Sequence, residues 1–281
     1  MVYHVVSDSS CDLLHSEFIS ESVGFTSVPL HVCVGEHEFV DNDALDVSEL
    51  LRVMREEKTS ASSACPSPTD YANAFSKGDK TVCFTISSGV SGSFNAAMQG
   101  RALALEEHPE KEICVIDTRS TASVPLMLIR RAKELMEHAA ANQFGAICED
   151  LQRYRSSLRT CFTLENFDNL IKSGRMKPLV GTLLQRLGIH VIAEATEAGT
   201  IRVAGKERGE KRTFRAMTAL MARSKNCAGA SVEIAHCNNP SGAERMKEQI
   251  LNDLPVKEVR LHDCRGLNSL YAMEKGIIIG Y

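Results

Sequence analysis

The chain has 281 residues, room for two domains, and its 43% apolar and 24% charged content is that of a globular protein with a real core. A formal net charge of −4 provides no global basic field for nucleic acid or anionic lipid. The start, MVYHVVSDSS, has neither a basic n-region nor a long apolar h-region, and no run of about 18 apolar residues occurs, so neither a signal peptide nor stable membrane insertion is expected.

In chain order, Tyr3 to Ser7 reads as a β-branched strand that ends in Asp8-Ser9-Ser10, and Asp12 to Val23 carries helical spacing. Thr26 to Val34 is expected as one strand before a turn at Gly35. Asp46 or Ser48 is placed to cap a helix through Leu50, Leu51 and Met54. Ser60 to Asp70, with two prolines and many small hydroxyl residues, reads as a loop, and Pro68 suits a first helical position. Lys80 to Ile86 is a near-continuous apolar run, as in a strand buried on both faces. A Ser/Gly loop follows, then a helix from Phe94 to Glu107, a strand from Glu112 to Asp117 and a helix from Val124 to Ala140. Strands alternating with helices predict a parallel sheet flanked by helices.

After Asn142 the pattern changes. Cys161 to Leu170 and Gly188 to Ala195 are strand candidates. The stretch Thr196 to Thr200 reads as a hairpin turn before Ile201-Arg202-Val203. Lys211 to Ser224 and Gly242 to Leu251 have helical spacing, and Ser231 to His236 and Val256 to Leu261 read as strands. The expectation is α/β throughout, in two domains: 1–145 with the parallel sheet and 146–281 with a mixed or antiparallel sheet.

The ten cysteines stand singly in apolar stretches such as Val32-Cys33-Val34 and Val82-Cys83-Phe84, with no CxxC pair. That weakens zinc and thioredoxin-type readings and suits buried free thiols in a reducing cytoplasm. No metal site and no cofactor are expected.

The strongest local signal is strand, then Ser87-Ser88-Gly89-Val90-Ser91-Gly92-Ser93, then helix. Gly89 and Gly92 let the backbone approach a ligand, the helix start offers unpaired N–H groups and a positive dipole end, and Ser88, Ser91 and Ser93 add hydroxyls. The guest would be a carboxylate or a phosphate. The plain alternative is a turn with Ser91 or Ser93 as helix cap. The loop is neither GxGxxG nor a Walker A sequence. Asp8, Asp12 and Asp117 also sit at or near strand ends; for Asp8 and Asp12, helix capping is the simpler reading. A nucleophilic serine lacks the GxSxG frame, and the nine histidines show no HExxH or paired spacing. No catalytic residue is assigned. Arg175 in a polar turn, and Lys206 and Arg208 in a basic cluster, form either a solvated face or a docking surface for an acidic or phosphorylated partner.

Together these segments resemble the DegV family along the whole chain. The resemblance rests on DSSCDL, on Ser63-Ala64-Cys65-Pro66-Ser67-Pro68, on ISSGVSGSFNAA, on Val115 to Thr118, on NLIKSGRM from Asn169 and on KERGEK from Lys206. It implies a non-enzymatic cytoplasmic protein that holds one long-chain fatty acid, of the palmitate, stearate or oleate class, between its domains. In the family, hydroxyls of two loops hold the carboxylate; the matching positions are Ser63 and Ser91, with Ser88 and Gly92 beside them. Some members present the acid to a fatty acid kinase. The sequence departs in having Ser63 for the usual threonine, Cys65 for glutamine and, near the C-terminus, Tyr271 where a histidine followed by Gly-Pro-Gly is common. The rival reading is an enzyme, related to dihydroxyacetone kinases, acting on a small phosphorylated or carbonyl substrate at the same loop.

Overall fold

The structure, a computed structural model, describes residues 2–57, 61–140, 142–177 and 188–281. A four-stranded sheet holds β1 (Tyr3–Asp8), β2 (Val23–Val28), β6 (Lys80–Thr85) and β7 (Glu112–Asp117) in the order β2-β1-β6-β7. Every pairing in it is parallel. Burial explains the sequence pattern: β1 is buried at every position and β6 at all but its first, because helices cover both faces.

Between β2 and β6 lies a small antiparallel sheet of β3 (His31–Val34), β4 (His37–Val40) and β5 (Ala61–Ala64), in the order β4-β3-β5. Helices α1 (Val47–Glu56) and α2 (Pro68–Phe75) flank β5, and α3 (Ser93–Glu107) follows β6. Asp46 caps α1 by accepting from the Ser48 and Glu49 amides, and Pro68 opens α2, both as the sequence predicts.

A six-stranded mixed sheet is formed by β8 (Thr160–Leu164), β9 (Ile189–Ala195), β10 (Ile201–Arg208), β11 (Ser231–His236), β12 (Glu258–Asp263) and β13 (Ile277–Gly280). Its order is β10-β9-β8-β13-β11-β12, antiparallel except for β11 with β12. Helices α7 (Glu210–Ser224) and α8 (Pro240–Asp253) pack on it. The expected α/β architecture with a parallel and a mixed sheet is therefore present.

Helix α4 (Ser123–Glu137) joins the two sheets, contacting β1, β2 and β6 on one side and β11 and β13 on the other. Residues 123–129 are buried all round, which accounts for a run that is more apolar than a surface helix needs. A Cβ on Gly280 would lie 2.9 Å from the Ser123 Cβ, so that glycine permits the close approach of α4 to β13. Helix α5 (Phe144–Ser157) packs on α4 and joins the core of the first sheet.

Some expected elements are different. Asp12 to Val23 forms no α-helix: single 3-10 turns occur at Ser9–Cys11 and His15–Glu17, and Val23 already belongs to β2. Asp12 has φ of 56°, a left-handed turn that ends helical geometry, and its side chain is drawn into a long-range contact. Thr26 to Val34 is two strands in two sheets, divided around Pro29, which has no N–H to donate to a ladder. The expected loop from Ser60 contains β5, held edge-on by β3; Ser60 itself lies outside the described residues. Cys161 to Leu170 is the strand β8 followed by the short helix α6 (Asp168–Lys172).

Candidate functional site

The loop after β6 is held from below by Asp8. Its buried carboxylate accepts hydrogen bonds from the Ile86 amide at 2.9 Å, the Ser93 hydroxyl at 2.6 Å and the Ser10 hydroxyl at 2.5 Å. Ser93 donates to Asp8, so the Tyr71 hydroxyl, 2.6 Å from the Ser93 oxygen, donates to Ser93. Burial pushes the Asp8 carboxyl above its ordinary range, with the surrounding donors acting in the opposite sense. Asp8 makes no side-chain cap to the turn that follows it; it is the post under the loop, a role the capping reading missed.

The outer side is fixed by Asp117 at the end of β7, which accepts from the Ser88 amide at 3.1 Å, the Ser88 hydroxyl at 2.5 Å and the Arg119 amide at 2.9 Å. Ser87 donates to Gly199 O at 2.7 Å, docking the β9–β10 turn on the loop. A Cβ on Gly89 would lie 2.8 Å from Ala198 O, and one on Gly199, at φ +73°, 2.0 Å from Ser87 Oγ. Gly89 admits close backbone contact, and Gly199 the Ser87 hydroxyl at a positive φ. This clamp joins residues more than 100 positions apart, and only the two glycines signalled it in the sequence.

Ser91 Oγ accepts from the Ser93 amide at 3.3 Å, satisfying one donor at the start of α3, and its own O–H has no acceptor among the described residues. The N-cap of α3 is Gly92 rather than the Ser91 or Ser93 of the plain alternative, and Ser91 lines the cavity one position before it. Ser63 on β5 reaches across to α9 (Gly266–Ala272), where its hydroxyl lies 2.9 Å from the Tyr271 hydroxyl. The Arg175 guanidinium stands 5.6 Å from the Tyr271 ring centroid, and its Nε donates to Val90 O at 3.2 Å. Ser63, Ser91, Arg175 and Tyr271 therefore stand on the wall of one cavity.

The other candidate residues are placed differently. Ser88 is engaged by Asp117 and is absent from the wall; Gly92 is exposed, its would-be Cβ 3.5 Å from Cys65 Sγ. Lys206 and Arg208 are exposed on β10, away from the cavity. Arg175, expected as a docking residue, forms part of the cavity wall.

Helix α9 is held by two buried carboxylates. Asp41 accepts from the Gly266 amide at 2.8 Å and the Leu267 amide at 2.9 Å, and Asp12 accepts from the Arg265 amide at 2.7 Å and Asn268 Nδ2 at 2.8 Å. Asn268 Oδ1 accepts from Thr121 at 2.6 Å. Burial raises both carboxyls, opposed by these donors. Sequence reasoning missed Asp41 altogether and read Asp12 as a cap.

The cavity holds about 810 Å³ of space between atoms, mouth included, and Leu30, Ile86, Phe162, Leu164, Leu170 and Leu267 make its wall mostly apolar. No histidine lines it among the described residues. His236 and His262 lie on β11 and β12 instead, where His262 Nδ1 is 3.8 Å from Glu233 Oε2 and burial pushes the imidazole down to about 3. Among the described residues no cluster of His, Cys, Asp and Glu is arranged to hold a metal ion, and no helix is long and apolar enough to cross a membrane.

The chain is similar to known proteins along its whole length. A DegV domain-containing protein of Streptococcus gordonii is 32% identical over 100% of this chain and 99% of its own. The Streptococcus pneumoniae fatty acid kinase (Fak) B3 protein, solved loaded with linoleic acid, superposes with a TM-score of 0.94 at 31% identity, covering 100% and 99% of the two chains. A DegV family protein from Eubacterium eligens, solved loaded with heptadecanoic acid, gives 0.91 at 30% identity over 99% of each chain. The family model described as "Uncharacterised protein, DegV family" matches residues 3–275, and this chain belongs to the DegV family.

Proposed function

We propose that this protein binds one long-chain fatty acid without catalysing a reaction, between a body on the parallel sheet, which helix α5 carries past the expected boundary at 145, and a body on the mixed sheet. The carboxylate is held at Ser63, Ser91 and Tyr271, with Ser88 and Gly92 supporting the loop, and the acyl chain lies along the apolar wall. The observation that carries this reading is one apolar cavity whose polar groups are mainly hydroxyls, with Ser63 and Tyr271 paired at 2.9 Å and Ser91 on the same wall. Burying each methylene contributes roughly 0.8 kcal/mol, so an enclosed chain is held strongly while hydroxyl donors satisfy the head group. Arg175 adds a cation that the sequence reading did not place there, next to the Tyr271 ring.

The ligand class is that of palmitate, stearate or oleate; the acids carried by the solved relatives, linoleic and heptadecanoic, support it. The likeness to the pneumococcal kinase-associated protein supports presentation of the bound acid to a fatty acid kinase in the cytoplasm. Arg175, Lys206 and Arg208 are the docking candidates. A rival enzyme reading has no imidazole on the cavity wall to act as base among the described residues.

Denaturing extraction and mass spectrometry of the purified protein should recover a long-chain acid at about one per chain. Recovery of none, with no stabilisation by added palmitate or oleate, would overturn the proposal.

A further inference from the structure

A second cleft, polar rather than apolar, opens where the end of α5, the start of β8, the turn after β7 and the β9–β10 turn meet. Arg119, Arg155, Arg159 and Arg202 line it. Arg202 is neutralised by Glu194 at 2.7 Å. Among the described residues, none of the other three forms an ion pair with a carboxylate. Arg119 donates to Glu197 O at 2.8 Å, and Arg159 to Ser156 O and Leu158 O at 2.8 Å. The Arg155 Nε is buried with no hydrogen-bond partner among the described residues. Of the nearby acids, Asp117 is occupied by Ser88 and the Arg119 amide, and Glu197 is exposed.

The cations also act on one another. Burial and then Arg119 hold Arg155 below its ordinary pKa against a smaller opposing pull from Asp117, and Lys225 is lowered by burial, with Cys227 opposing and Arg159 adding to it. Folding thus gathers like charges and leaves a buried donor unpaired, both of which are unfavourable without a guest. An oxyanion supplies the missing acceptors and the counter-charge, and guanidinium forks fit carboxylate and phosphate groups in pairs.

We propose that this cleft is a binding site for an oxyanion, carboxylate or phosphate, held chiefly by Arg155 and Arg159 with Arg119. The site adjoins the acyl cavity: Arg119, Ser120, Thr160 and Ala195 line both spaces. Among these shared residues the Ser120 and Thr160 hydroxyls are buried and 2.6 Å apart. One source of the anion is therefore the far carboxylate of a long-chain dicarboxylic acid, which rests on the fatty-acid reading. The other is a free phosphate, which does not.

The test is titration of the intact protein with inorganic phosphate in a low-salt buffer, with chloride at matched ionic strength as reference, read by calorimetry and thermal unfolding. Saturable binding and stabilisation by phosphate alone are expected. Arg155→Gln and Arg159→Gln each weaken it by roughly tenfold or more, while Arg153→Gln, on the exposed side of the same helix, leaves it unchanged. Arg159→Lys, which keeps the charge and loses the fork, serves if Arg155→Gln fails to fold, and should also weaken binding. No saturable effect in the wild type, or an equal effect in folded Arg155 and Arg159 variants, overturns the site. Hexadecanedioic acid displacing phosphate, with palmitic acid inert, identifies the lipid source; no displacement identifies free phosphate. Phosphate binding by a protein that takes up no palmitate would sink the fatty-acid reading and leave this one standing.

Discussion

The two walls of the acyl cavity are built in opposite ways. The serine loop grows directly from a central strand of the parallel sheet, and its post, Asp8, stands on the neighbouring strand. The Tyr271 wall is a short helix near the end of the chain, held by Asp12 and Asp41, more than 220 positions away. The first wall takes its main post from its own sheet and is then clamped by the β9–β10 turn through Ser87. The second depends wholly on carboxylates from distant elements, and each carboxylate that holds it is a separate point at which to test the contrast.

The largest effect is expected at Asp8. Asp8→Ala strips the Ile86 amide and the Ser10 and Ser93 hydroxyls of their acceptor in a buried site, which should cost about 3–4 kcal/mol in chemical denaturation. Asp8→Asn keeps an acceptor and should cost about 1–2 kcal/mol. A loss below about 1 kcal/mol for the alanine variant would mean that the loop is not supported from that strand.

The same contrast explains what could be read from sequence. Lys80 to Ile86, the following loop and the Phe94 to Glu107 helix were legible because a buried strand and its helix carry their pattern locally, and the order of motifs tied the loop to a family. Asp41 was invisible: its partners are backbone amides of residues 266 and 267, and nothing near Asp41 marks it. Asp12 to Val23 misled because its apolar residues at helical spacing are placed by tertiary packing, Phe18 stacked on Phe25 and Leu13 against the same core. Helix α9, with Gly266, Asn268 and Ser269 in seven residues, has almost no periodic signal, and its form comes from tertiary hydrogen bonds.

Acid should act next, with opposite signs at His4 and at the buried carboxyls of both walls. His4, in β1, is held near neutrality by burial, its pKa pushed down to about 4 from 6.5. Its unfolded form takes up a proton first as pH falls through 6.5, so the stability it supports is lost between there and about 4. The loss is up to about 3 kcal/mol. The Asp8, Asp12 and Asp41 carboxyls are raised, so their contribution has the opposite sign and improves as pH falls. His4→Asn should flatten the acid limb of the stability–pH curve; an unchanged limb would assign the loss elsewhere.

Asp41→Ala removes the acceptor at the start of α9, at an expected cost of about 2 kcal/mol. The sharper readout is local. Hydrogen exchange should quicken across residues 266–272 and stay slow across 86–93. Equal quickening in both segments would show that the walls open as one unit and would erase the distinction.

The smallest stability effect, and the most direct test of the site, lies where the walls touch. Ser63 and Tyr271 share one hydrogen bond of 2.9 Å across 208 positions. Tyr271→Phe and Ser63→Ala should each lower stability by about 1 kcal/mol, and the double variant by less than their sum, because both remove the same bond. If the pair also holds a carboxylate, each single change weakens palmitate binding by about tenfold, and there the two effects should approach additivity, since each hydroxyl then has its own bond to the ligand. Coupling in the empty protein that disappears in the loaded one is the signature of two hydroxyls turning from each other to a common guest. Coupling that persists unchanged would mean the pair is only a latch between β5 and α9, with the head group held by Ser91 and its loop alone.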